Sequence, residues 1–307
     1  MGSVTIATIQ PPSPASDVPV EETAEAALRL LDEAIKRHPD VVCLPEYLNC
    51  MRFSETPDPR WFDEGASRLL SAVGRRAAAA GCNAVVPLVV QEGTRRYNRA
   101  YVLDRAGKVV GTFDKVHPTR VEREVFRVTP GAEWPVFDLD FGRAGVMICY
   151  DGCFSESSRI LALGGADILF WPSLQRSYTE EQLTLQMRSH AYFNYVPVVR
   201  SSYGGRDDAT KRTAEMVGLT GICAADGTLM ETLSYESGFV IGEVDLKNGP
   251  RGSRSFGGDI GPLRQMRFED RRPGMYRNIS GPPAAPLSAP HYQEGPRAAA
   301  MPDEVIE

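Results

Sequence analysis

The sequence predicts a layered α/β domain. Short β-branched runs alternate with amphipathic helical stretches, two hairpin signatures interrupt them, and the most reactive side chains fall at predicted strand ends. Residues 4–9 read as a strand. Residues 22–37 read as a helix, with Leu28, Leu31 and Ile35 at three- and four-residue spacing and Pro39 as the stop. A short buried strand is expected over 41–44, a helix over 61–80 ending before Gly81, and a strand over 84–90. Runs 97–104 and 108–114 flank Arg105-Ala106-Gly107 as a hairpin. Next come a strand over 142–148, a helix over 156–163 and a strand over 167–171. A longer helix is expected over 179–195, with Ser177 and Glu180 spaced as a capping box. A strand over 197–201, a second hairpin over 220–224 and 228–232 around Asp226-Gly227, and a strand over 239–246 complete the pattern. Residues 201–213, rich in Gly, Asp and charge, read as a loop or lid. Residues 281–307, rich in Pro and Ala, read as a tail.

Bulk properties narrow the function. The chain has 307 residues, 42% of them hydrophobic, enough for a sizeable core, and a net charge of −6 without any long Lys/Arg block. A nucleic-acid-binding face is therefore not expected. No apolar run reaches membrane-spanning length, and the N-terminus lacks the basic and apolar regions of a secretory signal. Six cysteines in a chain this long suit a reducing compartment, so a cytoplasmic location is expected. The cysteines lack paired C-x-x-C spacing, and the four histidines never stand at i, i+4, so no metal site is expected.

Cys149 is the most informative residue. It ends the apolar run Ala144-Gly145-Val146-Met147-Ile148 and opens the polar turn Tyr150-Asp151-Gly152, with a helical stretch behind it. A strand–turn–helix context lifts a side chain off a sheet and aims backbone N–H groups at whatever it attacks. A thiol is mostly protonated at neutral pH and needs a base or a positive field. His117, followed by Pro118, is the nearest histidine in sequence, but a lone histidine is more often structural than catalytic. Glu46 follows the buried run Val41-Val42-Cys43-Leu44-Pro45, where partial desolvation raises a carboxyl pKa towards the range useful for acid–base work. Lys115 stands at the end of the 108–114 run. Taken singly, each reads as an ordinary turn or strand-end residue. Taken together, Glu46, Lys115 and Cys149 mark three strand ends, where α/β folds assemble sites. Cys153, four residues past Cys149, is a rival nucleophile or a small buried thiol.

These motifs, in this order, resemble the nitrilase superfamily of carbon–nitrogen hydrolases. The resemblance runs from about Val4 to Asp245. It rests on Ala7-Thr8-Ile9-Gln10, Leu44-Pro45-Glu46, Asp114-Lys115-Val116-His117 and Gly145-Val146-Met147-Ile148-Cys149-Tyr150-Asp151, with Phe154, Glu156 and Arg159 behind. Gly165-Ala166-Asp167, Trp171-Pro172-Ser173, Gly218, Thr220, Ile222 and Gly227 continue it. The resemblance implies a four-layer α-β-β-α sandwich, a hydrolase domain over 1–280 and a tail over 281–307. It implies Glu46 as general base and acid, Lys115 as charge stabiliser, Cys149 as nucleophile and the Tyr150 N–H as an oxyanion donor. A second glutamate, counted back seven residues from Gly131, falls on Glu124, with Glu122 as the fallback. No cofactor is implied, and a homodimer or higher homo-oligomer is.

Two departures from the family pattern bear on the pocket. Ser155 stands where proline is common, and Ser189-His190-Ala191-Tyr192-Phe193-Asn194 keeps only the asparagine of the usual run. Tyr150-Asp151 replaces the Trp-Glu that follows the cysteine in true nitrilases, which favours a small linear amide or N-carbamoyl amine over a nitrile. Gly152 and Cys153 replace the arginines typical of carbamoylases acting on D-amino acids, leaving Arg176 or Arg188 as possible carboxylate anchors or plain surface residues. Nitrile hydrolysis and a catalytically silent scaffold subunit are the alternatives. The intact Glu46/Lys115/Cys149 set argues against the scaffold.

Overall fold

A computed structural model of the chain describes residues 2–13, 20–50, 60, 62–175, 178–204, 218–246, 251–253, 259–279 and 281. The chain divides into two compact units, Met1–Arg251 and Gly252–Glu307.

In the first unit the elements run β1 (Ser3–Gln10), α1 (Val20–Ile35), β2 (Val41–Cys43), α2 (Glu64–Ala80), β3 (Asn83–Glu92), β4 (Arg95–Leu103), β5 (Val109–Asp114), α3 (Arg120–Glu124), β6 (Val136–Leu139), β7 (Gly142–Val146), α4 (Ser155–Leu163), β8 (Ile168–Pro172), α5 (Glu180–Asn194), β9 (Val198–Ser201), β10 (Thr220–Cys223), β11 (Leu229–Leu233) and β12 (Gly238–Asp245). They build two mixed six-stranded sheets, in the orders β12-β1-β2-β3-β4-β5 and β11-β10-β9-β8-β7-β6.

Side-chain alternation decides the layering. Val4 and Ile6 of β1, Val41 and Cys43 of β2, and Val85 of β3 enter one buried cluster. It is shared with Ala144, Val146, Ile168, Phe170, Val199 and Ile222 of the other sheet. The intervening Ala7, Ile9, Val42, Ala84 and Val86 enter a second cluster with Ala27, Leu31 and Ala34 of α1 and Leu69, Val73 and Ala77 of α2. Both faces of the central strands are therefore covered, and β2 and β3 read as unbroken apolar runs. Helices α4 and α5 flank the second sheet. Two hydroxyls tie the sheets where β1 and β9 end: Thr8 Oγ1 donates to the Arg200 carbonyl at 2.9 Å and Ser201 Oγ to that of Ile9 at 2.6 Å. The α-β-β-α sandwich expected from the sequence is the observed architecture.

Turn and cap chemistry fixes the element ends. Gly81 closes α2 at φ 64°, a left-handed cap that glycine adopts without strain. In the β4–β5 hairpin, Asp104 Oδ1 accepts from the N–H groups of Ala106 and Lys108, both at 2.9 Å. The capping box of α5 is formed by Thr179 and Gln182, two residues beyond the Ser177/Glu180 pair expected from spacing, of which Ser177 lies outside the described residues. Thr179 takes the cap because its backbone is extended there, with the first helical turn following at Glu180. Edge strand β6 falls outside the expected elements: it is four residues long, and Asp138 interrupts its apolar pattern. It pairs antiparallel with β7.

The second unit contains β14 (Asp259–Pro262), which pairs with β13 (Arg251–Ser253), and then α6 (Leu263–Glu269). The expected lid beyond Gly204 and the expected tail beyond Gly281 lie outside the described residues.

Gly131 sits against the segment that carries Lys115: its N–H donates to the Lys115 carbonyl at 2.8 Å, and a Cβ there would stand 2.1 Å from the Asp114 carbonyl oxygen. Gly131→Ala must displace backbone, so a loss of about 1–3 kcal/mol in urea unfolding is expected. Unchanged stability would show that the segment yields freely.

Candidate active site

Glu46, Lys115 and Cys149 stand just past the ends of β2, β5 and β7. The two sheets bring these strand ends together, and the charged groups meet in a buried cluster. Lys115, almost wholly buried, donates through Nζ to Glu46 Oε1 at 2.9 Å and to both oxygens of Glu122 at 2.9 and 2.8 Å. Asn98 of β4 donates through Nδ2 to Glu46 at 2.7 Å and to Glu122 at 3.1 Å. The Tyr47 hydroxyl donates to Glu122, and the Leu174 N–H donates to Glu46 Oε2 at 2.7 Å. The Tyr203 hydroxyl anchors the Glu46 backbone carbonyl at 2.7 Å.

The second glutamate of the cluster is Glu122. The Glu124 expected from spacing lies at the surface, ion-paired with Arg120 at 2.8 Å. Two residues apart on a helix, 122 and 124 face different directions, so only one can reach Lys115. The local signal for the right choice is Thr119-Arg120-Val121-Glu122. Thr119 caps α3, and Glu122 reaches back to the Thr119 N–H at 2.6 Å, which turns the same carboxylate inwards towards Lys115. Asn98, Tyr47 and Tyr203 carry no comparable sequence signal, because their roles depend on which strands become neighbours.

One cation shared by two carboxylates leaves the cluster one negative charge in excess. Burial pushes the Glu46 carboxyl pKa up, against the attraction of Lys115 and with the repulsion of Glu122. Burial also opposes ionisation of Glu122, but Lys115, Tyr47 and the Thr119 N–H outweigh it and hold that carboxyl below its usual range. Two carboxyls pushed apart in this way divide the labour: Glu122 stays ionised and Glu46 can carry a proton. Burial works against the Lys115 ammonium, yet Glu46, Cys149 and Glu122 keep its pKa above the ordinary lysine value.

Cys149 begins a 3-10 turn, Cys149–Cys153, with φ 46°, a left-handed conformation that costs a non-glycine residue energy unless its surroundings enforce it. The surroundings do so. Asp151, fully buried, accepts from the N–H of Ile148 at 2.9 Å and from that of His117 at 2.8 Å. Trp171 Nε1 donates to the Cys149 carbonyl at 2.9 Å. Gly152 passes so close to the Trp171 ring that a Cβ would sit 2.2 Å from it. Burial and Glu46 push the Cys149 thiol well up, while Lys115 and a hydrogen bond from the Leu174 backbone pull it down. The thiol therefore keeps its proton until a base removes it. The Leu174 N–H anchors Glu46 from the segment that follows β8.

The other candidates separate from this cluster. His117 is committed to Asp151 at 2.9 Å and stacked on Phe154 at 3.9 Å between centroids, so it braces the turn. Cys153 lies 3.3 Å from the Tyr178 hydroxyl, at the far end of the turn. Arg188 donates to the Gly227 carbonyl at 2.9 Å and holds the β10–β11 hairpin. Arg176 lies outside the described residues. The Tyr150 N–H lies in the first turn of a short helix, where intrahelical acceptors are lacking. Among the described residues no group of three His, Cys, Asp or Glu side chains is placed to hold a metal ion, and no helix is long and apolar enough to cross a membrane.

Residues 5–249 match the carbon–nitrogen hydrolase family. The chain belongs to this family. Proteins similar to it include a probable nitrilase from Schizosaccharomyces pombe, 31% identical over 61% of this chain and 64% of that protein. A citrullinase from Francisella tularensis is 26% identical over 86% of this chain and 94% of that protein. Among solved structures, an amidase of the nitrilase superfamily from Nesterenkonia shares the fold with a TM-score of 0.70 at 18% identity, covering 91% of this chain and 98% of that one.

Removing the shared cation tests the cluster. Lys115→Met leaves two buried carboxylates face to face, and a loss of about 3–5 kcal/mol at pH 7 is expected in urea unfolding. Both carboxyl pKa values then lie above their unfolded values, so stability should return as pH falls and they protonate. Glu124→Gln should change stability by less than about 0.5 kcal/mol. A Lys115→Met protein that becomes less stable towards acid, relative to the unsubstituted chain, contradicts the charge assignment.

Proposed function

We propose that the protein hydrolyses a small linear amide or N-carbamoyl amine through a thioester on Cys149, releasing ammonia. The observation that carries this reading is a buried carboxyl of raised proton affinity, Glu46, joined to Lys115 at 2.9 Å and acting electrostatically on the Cys149 thiol, which keeps its proton until a base removes it. Glu46 takes the Cys149 proton, and the sulfur attacks the carbonyl carbon. The oxyanion that forms is held by the Lys115 ammonium and the Tyr150 N–H, donors of a kind that contribute about 2.7–4 kcal/mol each. Glu46 then returns its proton to the leaving nitrogen, and ammonia departs from the acyl- or carbamoyl-enzyme. Water, deprotonated by Glu46, attacks the thioester carbonyl and frees the acid and the thiol. Glu122 stays ionised throughout and holds Lys115 in place.

The citrullinase and the amidase among the similar proteins support the carbamoyl and amide classes. The probable nitrilase is what favours the second reading, nitrile hydrolysis on the same residues. The six cysteines, all free thiols, support a reducing, cytoplasmic setting. A homodimer is also part of this reading. Helices α4 and α5 expose Ile160, Leu163, Leu185 and Phe193, an apolar face suited to a second copy.

Ammonia release from a panel of short amides, ureido acids, carbamoyl amines and nitriles tests the substrate class. Activity on amides or ureido compounds is expected, abolished in Cys149→Ala with folding retained. Activity on nitriles alone would overturn the reading. The base must be ionised to act, so kcat/KM is expected to fall as pH drops through the raised pKa of Glu46. An acid limb at an ordinary carboxylate pKa of about 4 would argue against Glu46 as the base. Sedimentation velocity at micromolar concentration is expected to show a dimer that Leu185→Glu together with Phe193→Glu converts to monomer; a monomeric unsubstituted chain refutes the dimer.

A further inference from the structure

Arg200, in β9, is fully buried, and among the described residues its guanidinium meets no carboxylate. Nη1 donates to the carbonyl of Gly218 and, at 2.6 Å, to that of Leu219, while Nη2 donates to Gln175 Oε1 at 3.0 Å. Nε has no acceptor among the described residues. The guanidinium lies over the Trp171 ring, 5.1 Å from its centroid, in a strand register that pairs Trp171 with Arg200. Buried charges are ordinarily paired with charge, so a guanidinium held by neutral acceptors and an indole is a costly arrangement that needs a reason.

The groups that Arg200 grips are those that surround the nucleophile. Trp171 holds the Cys149 carbonyl. Gln175 follows Leu174, whose N–H serves Glu46, and the Gln175 amide donates to Cys153 Sγ at 3.7 Å, at the other end of the Cys149 turn.

We infer that Arg200 is a positioning residue for the thiolate form of Cys149: it fixes Trp171 and Gln175 around the nucleophile's turn and supplies, besides Lys115, a second buried positive charge. Burial lowers the Arg200 pKa to about 10, and Cys149 and then Glu46 act in the opposite direction. A second positive charge held against the groups that brace the nucleophile's turn favours the thiolate over the thiol without touching the substrate.

The inference rests on Cys149 being the nucleophile, and its test needs no substrate. The rate of iodoacetamide labelling of Cys149 is followed by mass spectrometry against pH, with thermal melts of each variant. Arg200→Gln keeps a donor and drops the charge. It is expected to move the labelling midpoint up by about one pH unit, roughly tenfold slower labelling below the midpoint. Arg200→Lys is expected to restore the midpoint even where the melt stays lowered. A folded Arg200→Gln whose midpoint does not move overturns the inference, whatever its stability. Should that variant not fold, Gln175→Glu puts a carboxylate on the guanidinium; the same upward shift is expected, and an unmoved midpoint overturns the inference. If Cys149→Ala leaves the fast-labelling peptide in place, the nucleophile assignment itself fails. A fast-labelling Cys149 with an unmoved midpoint rejects the role of Arg200 alone.

Discussion

The ion cluster of Lys115 with Glu46 and Glu122 is the interaction on which the site depends. Isolated in a protein interior, any of the three charges would cost several kcal/mol. Together they are tolerable because the ammonium is shared and nearly every remaining lone pair meets a donor: Asn98, Tyr47, the Thr119 N–H and the Leu174 N–H. Those donors come from β4, from the segment after β2, from the cap of α3 and from the segment after β8. The cluster is therefore complete only when both sheets are in place. This ties chemical competence to the folded state of the whole sandwich.

The same cluster sets proton affinities. Two carboxyls on one cation cannot be equivalent once their other partners differ. Glu122 has the phenol and the helix cap and stays ionised, whereas Glu46 has greater burial and can hold a proton. Cys149, beside them, is strained in its backbone and protonated in its resting state. Its turn is braced by Asp151 from within and by Trp171 from the neighbouring strand. A thiol pushed up by burial, beside a carboxyl pushed up by burial, requires little driving force to exchange a proton when the product charge is met by Lys115.

Much of the fold was legible in the sequence because the apolar periodicities are strong. The central strands, α1, α2, α4 and α5 and both hairpins fall within a few residues of expectation. The exceptions have local causes. Strand β6 is only four residues long and carries Asp138, so its pairing with β7 defines it. The cap of α5 falls at Thr179, the residue whose backbone is extended before the first helical turn. In the site, residue counting from Gly131 pointed to Glu124, but the capping box at Thr119 turns Glu122 inwards and leaves Glu124 to Arg120 in solvent. A loop's length cannot be counted reliably from a distant glycine, whereas a cap is a local bond between residues three apart.

The sequence by itself determined the alternation of strands and helices, the three strand-end positions of Glu46, Lys115 and Cys149, and the ordered motifs of a carbon–nitrogen hydrolase. These are properties of short windows, fixed by period, turn chemistry and residue type. The tertiary structure alone decided that Asn98 bridges the two glutamates, that His117 braces a turn, and that Arg200 is buried against Trp171. Each of these follows from contacts between residues far apart in the chain, such as Leu174 with Glu46 or Trp171 with Cys149. Hydrogen bonds and buried charges act over a few ångströms of space, and the packing of the two sheets sets which distant residues come within that range.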